Sequence, residues 1–277
     1  MSTVQPETLD AVLQALHQLL PPGRDREKAH IEGPLAGGYS HANFRVRLGH
    51  KRYALRLGGP ATRDDREGEV DLLRRLPPGV GAELIAADTA TGNLLTAWID
   101  APLLAETRAS DSALVRYLVT LHDALPPVSR AHDLAARISA WLSGRRHAPV
   151  VMNAFARLQP PRITVTAHND LNPWNVLCPV TGWRTLDWEW VGTNDPLFDL
   201  VTLAAGTGRD AAAIATMARS YLRLRGLDAA RLAPVESLLR AFWLREYAWA
   251  DDALRRGLDR EEIVRQRDNA LACLPDS

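Results

Sequence analysis

Three side chains in TVTAHNDLNPWNVLCPVTGWRTLDWEW, residues 164–190, are of the types that move a proton and hold a hard cation. Asp170 and Asn175 stand five residues apart, and Asp187 follows twelve residues after Asn175. An aspartate beside a substrate hydroxyl can accept its proton. An asparagine oxygen and a second carboxylate can hold magnesium, which prefers oxygen ligands. The set fits phosphoryl transfer better than hydrolysis by a thiol or a serine, because that reaction needs positioning and charge neutralisation more than covalent chemistry. The histidines His41, His122 and His132 are scattered and form no metal-ligand pattern.

Such residues need elements to position them. Pro173 forbids a helix interior, so 170–175 reads as a fixed loop. The apolar run RITVTAH leads into it, and GWRTLDW carries Asp187 near its end. Paired as a hairpin-like unit, these two strands are expected to bring Asp170, Asn175 and Asp187 to one end. Upstream, residues 8–20 put Leu9, Val12, Leu13, Leu16, Leu19 and Leu20 on one helical face, with Thr8 as N-cap. Alternation around Phe44, Val46 and Leu48, then around Tyr53, Leu55 and Leu57, predicts a hairpin turning at Gly49-His50. DDREGEVDLLRRL reads as a helix, and AELIAADTATGNLLTAWI as two strands turning at Thr91-Gly92-Asn93. Beyond Asp100 helical patterns dominate: 111–125, 133–143, 148–158, 196–205, 210–225, 234–256 and 259–273. The expected division is 1–100 and 101–277, with a hinge near WIDAPLL.

The whole chain excludes several classes. Of 277 residues, 46% are apolar and 24% charged, the profile of a globular domain. Lys and Arg total 33, as do Asp and Glu, so no basic excess argues for nucleic acid as a partner. The first twenty residues are acidic where a signal peptide is basic, and no apolar run reaches the length of a membrane span. Cys178 and Cys273 are too few for a disulfide framework. A cytoplasmic location without membrane attachment is expected. Composition is silent on the oligomeric state.

The motifs also carry a resemblance. HNDLNPWN has the spacing of the kinase catalytic loop, and LDWEW takes the place of the metal-binding Asp-Phe-Gly. The run DWEWVGTNDPLFDLVTLA is similar to the choline, ethanolamine and thiamine kinases among the aminoglycoside-phosphotransferase-like kinases. In length and overall look the chain most resembles the bacterial thiamine kinases. The resemblance implies an α+β, protein-kinase-like, two-lobed fold, with a small, mostly antiparallel β lobe and a large helical lobe. It implies ATP and magnesium as cofactors. By position, Asp170 is then the catalytic base, Asn175 and Asp187 bind magnesium, and His168 and Asp199 brace the loop. Glu189 assists or faces the substrate. GGYSHANFRV resembles the phosphate loop, which implies nucleotide contacts from Gly37, Gly38, Ser40 and Asn43. Arg56 occupies the place of the phosphate-binding lysine, with Glu69 as its ion-pair partner.

The acceptor is expected to be a small-molecule alcohol. Trp190, Trp243, Glu246 and Tyr247 supply aromatic faces and a carboxylate, a composition that suits a quaternary or aromatic cation. Thiamine is the first expectation, choline or ethanolamine the next, and an aminoglycoside antibiotic the third. The rival from another class is a nucleotide-binding scaffold that does not catalyse. Trp174, Trp183 and Trp188 read as packing residues, and Cys178 as a small buried hydrophobe.

Overall fold

The computed structural model describes residues 6–23, 28–35, 41–59 and 63–274. The chain clusters into two compact units. The first holds residues 1–107, 124–126 and 174–191; the second holds 108–123, 127–173 and 192–277. The segment 174–191, far along the helical part of the sequence, clusters with the first unit.

The first unit is built on a five-stranded antiparallel sheet. Its strands are β1 (His30–Pro34), β2 (Ala42–Leu48), β3 (Lys51–Leu57), β4 (Leu84–Asp88) and β5 (Asn93–Ala97), in the order β1-β2-β3-β5-β4. In β2, Phe44, Val46 and Leu48 are buried at alternate positions, the period of a strand with one covered face. The cover is α1 (Pro6–Leu19), whose Val12, Ala15 and Leu16 pack on those residues and on Leu55 and Leu95. Burying each large side chain of this set contributes about 1.5–3 kcal/mol. The helix is described from Pro6 onward. Thr8 is therefore inside the first turn and not its cap, a correction to the sequence expectation. Leu48 pairs with Lys51, so Gly49-His50 is a two-residue turn, and Gly49 takes the positive φ of 58° that such turns ask of glycine. The helix α2 (Arg63–Arg75) contacts β4.

The second unit is helical: α3 (Asp111–Ala124), α4 (Leu134–Leu142), α5 (Pro149–Ala156), α6 (Pro196–Gly206), α7 (Ala211–Arg225), α8 (Val235–Arg255) and α9 (Glu261–Cys273). Its centre is α8, which touches α4, α5, α6, α7 and α9. Leu244, Tyr247 and Ala248 of α8 join Ile138, Leu142, Val151, Ala154 and Ala270 in one apolar cluster. Asp195 caps α6 by accepting from the Leu197 N–H at 2.9 Å, and Asp210 caps α7 through Ala213 at 2.8 Å.

The strands near the opening motif pair differently from the expectation. β6 (Val165–Ala167) runs antiparallel to β9 (Gly192–Asn194), while β7 (Val176–Leu177) pairs with β8 (Arg184–Thr185). The segments RITVTAH and GWRTLDW are therefore not partners. Strands of two or three residues carry too little alternation to specify which edge they join. β7 is further tied down by Cys178, whose N–H donates to Pro102 O at 2.8 Å.

Candidate active site

One set of polar residues belongs to the first unit. Leu55 faces α1, so the next residue of β3, Arg56, faces the other side of the sheet. There it meets Glu69 of α2 in a fork: Nη1 donates to Oε1 at 2.8 Å and Nη2 to Oε2 at 2.5 Å. Glu69 is 1% exposed. Burial alone would lower the pKa of the Arg56 guanidinium, but Glu69, Asp187 and Glu189 outweigh it and hold the pKa above its ordinary value. Arg56 Nη1 also lies 3.4 Å from Asp187 Oδ1. The β7–β8 ladder explains how Asp187 comes to share an end with Asn175. Val176 pairs with Thr185, and the Leu186 N–H donates to Asn175 O at 2.8 Å, which sets Asn175 opposite the neighbour of Asp187. Asp187 has φ 60°, a left-handed conformation rare outside glycine and tolerated by aspartate. His41 Nε2 and Glu189 Oε2 are 2.9 Å apart, which ties the start of β2 to the segment that follows Asp187.

A second set belongs to the helical unit. Asp199, fully buried on α6, accepts from the His168 N–H at 2.7 Å and from the Asn169 N–H at 2.8 Å. His122 Nε2 lies 3.1 Å from the same carboxylate, and its Nδ1 lies 2.7 Å from the Tyr221 hydroxyl. Burial would raise the Asp199 pKa, but the hydrogen bond and charge of His122, then His168, hold it below the usual carboxylate range. Asn169 has φ 68° and is itself fully buried. Its Nδ2 donates to Ala167 O and Gly192 O, and its Oδ1 accepts from Asn194 at 2.8 Å. The Asp170 N–H donates to His168 Nδ1 at 3.2 Å. The Asp170 carboxylate is bounded on both sides, with Arg245 Nη1 3.0 Å from Oδ1 and Asn172 Nδ2 3.3 Å from Oδ2.

Residues 32–235 match the family described as "Phosphotransferase enzyme family". The chain belongs to that family. Comparison with curated proteins gave no match. Among solved structures, this phosphotransferase superposes on LicA in complex with AMP with a TM-score of 0.72, at 18% identity over 96% of this chain and 97% of that one. LicA is a choline kinase from Streptococcus pneumoniae. A choline/ethanolamine kinase family protein from Mesorhizobium loti gives 0.67 at 22% identity, over 96% of this chain and 93% of that one. A mutant of the aminoglycoside phosphotransferase APH(4)-Ia, with AMP-PNP and hygromycin B bound, gives 0.60 at 14% identity, over 88% and 94%. At these identities the likeness establishes the fold, which is α+β and protein-kinase-like.

Within the phosphotransferase the sequence candidates fall into distinct settings. Arg56, Glu69, Asp187 and Glu189 are brought together, and Asn175 joins them through the short hairpin. His168 and Asp199 are brought together with Asp170. Asn43 sits on β2 opposite Arg56. Gly37, Gly38 and Ser40 lie outside the described residues. Trp190 is half-buried in the first unit. Trp243, Glu246 and Tyr247, the expected acceptor face, lie on α8. Tyr247 is buried in the apolar cluster of α8 and Trp243 packs against it, while Glu246 is held by Arg245 and by Gln266 at 2.8 Å. Trp188 is packed at 1% exposure, but Trp174, read as packing, is 63% exposed. Cys178 is half-buried, and burial pushes its thiol pKa up.

Sequence reasoning missed Asn169 and Arg245. Asn169 had a signal, since asparagine tolerates the left-handed region. So had Arg245, because a charge among Ala241, Leu244 and Ala248 lies on the buried stripe of its helix and demands a buried partner.

Proposed function

We propose that this phosphotransferase is an ATP- and magnesium-dependent kinase that transfers the γ-phosphoryl group to the hydroxyl of a small cationic alcohol. Thiamine is the preferred acceptor, and choline or ethanolamine the next. The observation that carries the reading is the junction of Asp187 with the Arg56–Glu69 pair, at the hairpin end that also holds Asn175. There a buried cation, braced by a carboxylate, lies beside an exposed carboxylate, with Asn175 on the facing strand of the short hairpin. Those groups match a nucleotide's phosphates and their metal.

Asn175 and Asp187 fit magnesium chemically. Both offer hard oxygen donors, and the Asp187 side chain is 38% exposed. Among the described residues no group of three or more His, Cys, Asp or Glu is placed to hold a metal. Magnesium sites seldom need one, because the ion takes one or two carboxylates and fills its shell with phosphate oxygens and water. When bound, the ion neutralises phosphate charge. Arg56, its fork held and kept charged by Glu69, attracts phosphate oxygens through its charge and the N–H groups that the fork leaves over. In this reading Asn43 supplies a further nucleotide contact, as do Gly37, Gly38 and Ser40 from the sequence before β2. LicA binds AMP and APH(4)-Ia binds AMP-PNP, which supports a nucleotide here.

Asp170 orients the acceptor hydroxyl. As the acceptor oxygen bonds to the γ-phosphorus, the bond from that phosphorus to the bridging oxygen breaks and its electron pair leaves with ADP. The hydroxyl proton passes to the Asp170 carboxylate. His168 and Asp199 act through the loop and are positioning residues. For the acceptor's cationic group, the exposed indole of Trp174, within the loop that joins Asp170 to Asn175, is an aromatic surface left open to solvent. Trp190 and Glu189 complete the substrate contacts in this reading. No helix among the described residues is long and apolar enough to cross a membrane, and we place the enzyme in the cytoplasm.

The test is magnesium-dependent ATP consumption with thiamine, choline, ethanolamine and kanamycin in parallel. Strong stimulation by one of the first three, with the phosphorylated alcohol recovered, is the expected outcome. Stimulation by kanamycin alone would make the enzyme an antibiotic kinase. ATP binding without stimulation by any alcohol would leave the scaffold reading.

A further inference from the structure

We propose that Arg245 is a positioning residue for phosphoryl transfer, setting the orientation and basicity of Asp170, while Glu246 sets how much of its charge Asp170 feels. The proposal rests on the reading of Asp170 as the group that accepts the hydroxyl proton.

The guanidinium of Arg245 is 4% exposed and sits deep in the helical unit. Nη1 reaches two parts of the catalytic loop, donating to Asn169 O at 2.9 Å and lying 3.0 Å from Asp170 Oδ1. Nε and Nη2 donate to Glu246 Oε1 at 3.0 and 2.5 Å. Glu246 is itself fixed, since Gln266 of α9 donates to its Oε2 at 2.8 Å. The planar group lies over Phe198 and Phe242, with 5.9 and 5.4 Å to the ring centroids. These contacts leave the fork little freedom to rotate. Burial would lower the Arg245 pKa, but Glu246 and Asp170 hold it above its ordinary value, so the group stays charged.

Two carboxylates therefore share one buried cation. A cation in contact with a carboxylate favours the charged form and weakens it as a base. Asp170 is thus pinned through Oδ1, while Oδ2 has the longer contact to Asn172, so Oδ2 is the oxygen that faces the hydroxyl proton. Glu246 draws off part of the Arg245 charge and leaves Asp170 more basic than a private ion pair would. Other charged or titratable groups around this network are His168 of the catalytic loop, Asp199 of α6, and His132, which burial and then Arg137 and Arg245 hold neutral.

The experiment compares wild type with Arg245→Lys, Arg245→Met and Glu246→Gln. It records kcat and KM against pH, and the titration of Asp170 by carbon-13 NMR of labelled carboxyls, assigned with Asp170→Asn. Arg245→Lys keeps the charge but not the fork, so kcat should fall about 10-fold or more with KM for ATP unchanged. The acid limb of kcat and the Asp170 titration should both move to higher pH, further in Arg245→Met, by about one unit or more. Glu246→Gln should move both to lower pH. A merely structural role would lower the melting temperature of all three without opposite movements of the titration. Unchanged kcat and titration in folded Arg245→Lys, or shifts of one sign in Arg245→Lys and Glu246→Gln, would overturn the proposal. If Arg245→Met does not fold, the other two variants decide. A wild type that phosphorylates no alcohol would sink the kinase reading, while the carboxyl titration would still judge Arg245.

Discussion

Asn169 and Asp187 are the two described non-glycine residues with positive φ, and they could hardly be placed more differently. Asn169 is fully buried. Its N–H, its carbonyl and both ends of its side-chain amide are engaged by Asp199, Arg245, Ala167, Gly192 and Asn194. Asp187 is exposed, and Arg56 approaches it at 3.4 Å. Each unusual backbone conformation costs about 1–3 kcal/mol and persists only where its surroundings over-determine it. Around Asn169 the surroundings are a rigid polar network, which fixes the next residue, Asp170, before any substrate arrives. Around Asp187 the protein leaves carboxylate surface open to solvent, as a group must be if part of its coordination comes from a ligand. One region holds a side chain still, and the other leaves a carboxylate open to solvent.

Substitution of the two aspartates tests that contrast most severely. Asp170→Asn keeps a partner for Arg245 and removes the carboxylate proposed to accept the proton. Turnover should fall by about 10²–10⁴-fold while ATP still raises the melting temperature. Asp187→Ala should lose turnover to a similar extent and also lose the magnesium-dependent part of that ATP shift. Thermal shifts with and without magnesium check both variants. A full magnesium-dependent shift in Asp187→Ala would remove Asp187 from the metal site, and near-wild-type turnover in Asp170→Asn would remove Asp170 from the proton transfer.

The next effect is on stability. Asp199→Ala strips the buried acceptor from the His168 and Asn169 N–H groups and leaves His122 without its carboxylate. The expected cost is about 3–5 kcal/mol, read by urea unfolding, and the range follows from breaking a buried, hydrogen-bonded charge cluster. Asp187→Ala, at an exposed site, should cost less than about 1 kcal/mol by the same measurement. If the two variants lost equal stability, the distinction between a fixed region and an open one would fail.

The same contrast explains what the sequence could and could not reveal. The helices of the second unit were legible where they present turns of 3.6-residue periodicity; the pattern at 210–225, for example, matches Ala211–Arg225, which buries Ile214, Met217, Ala218, Tyr221 and Leu222. The hairpin at Gly49 was legible because strand alternation and a turn residue agree. The pairing of β6 with β9 was not, since three residues cannot mark a partner 25 positions away. The candidate site is legible in sequence where one motif carries it, as with the proposed roles of Asp170, Asn175 and Asp187. It was hidden where α8 approaches from far along the chain. There the sequence places Trp243, Glu246 and Tyr247 on one helical face, and the fold packs Tyr247 in the core and pairs Glu246 with Arg245. Periodicity locates a buried stripe and says nothing of what it meets.

The smallest effect probes the second unit through acid. His132 is buried against Phe198, and desolvation first, then the charges of Arg137 and Arg245, lowers its pKa from 6.5 to about 3. The unfolded chain takes up this proton near the ordinary value, while the folded chain refuses it until about pH 3. Stability should therefore fall as pH drops below about 6.5, by up to about 1.4 kcal/mol per pH unit from this residue. Asp195 works in the opposite sense, because burial raises its carboxyl pKa above 3.8 and acidification through that window favours the folded state. His132→Phe separates the two contributions. Urea unfolding from about pH 7 down to about pH 4.5 should show a shallower decline in the variant than in wild type, with the curves diverging below about pH 6.5. Parallel curves would mean that the histidine takes its proton in the folded state as well, and the surroundings of Arg245 would then hold a second cation that the contrast between the two regions does not allow.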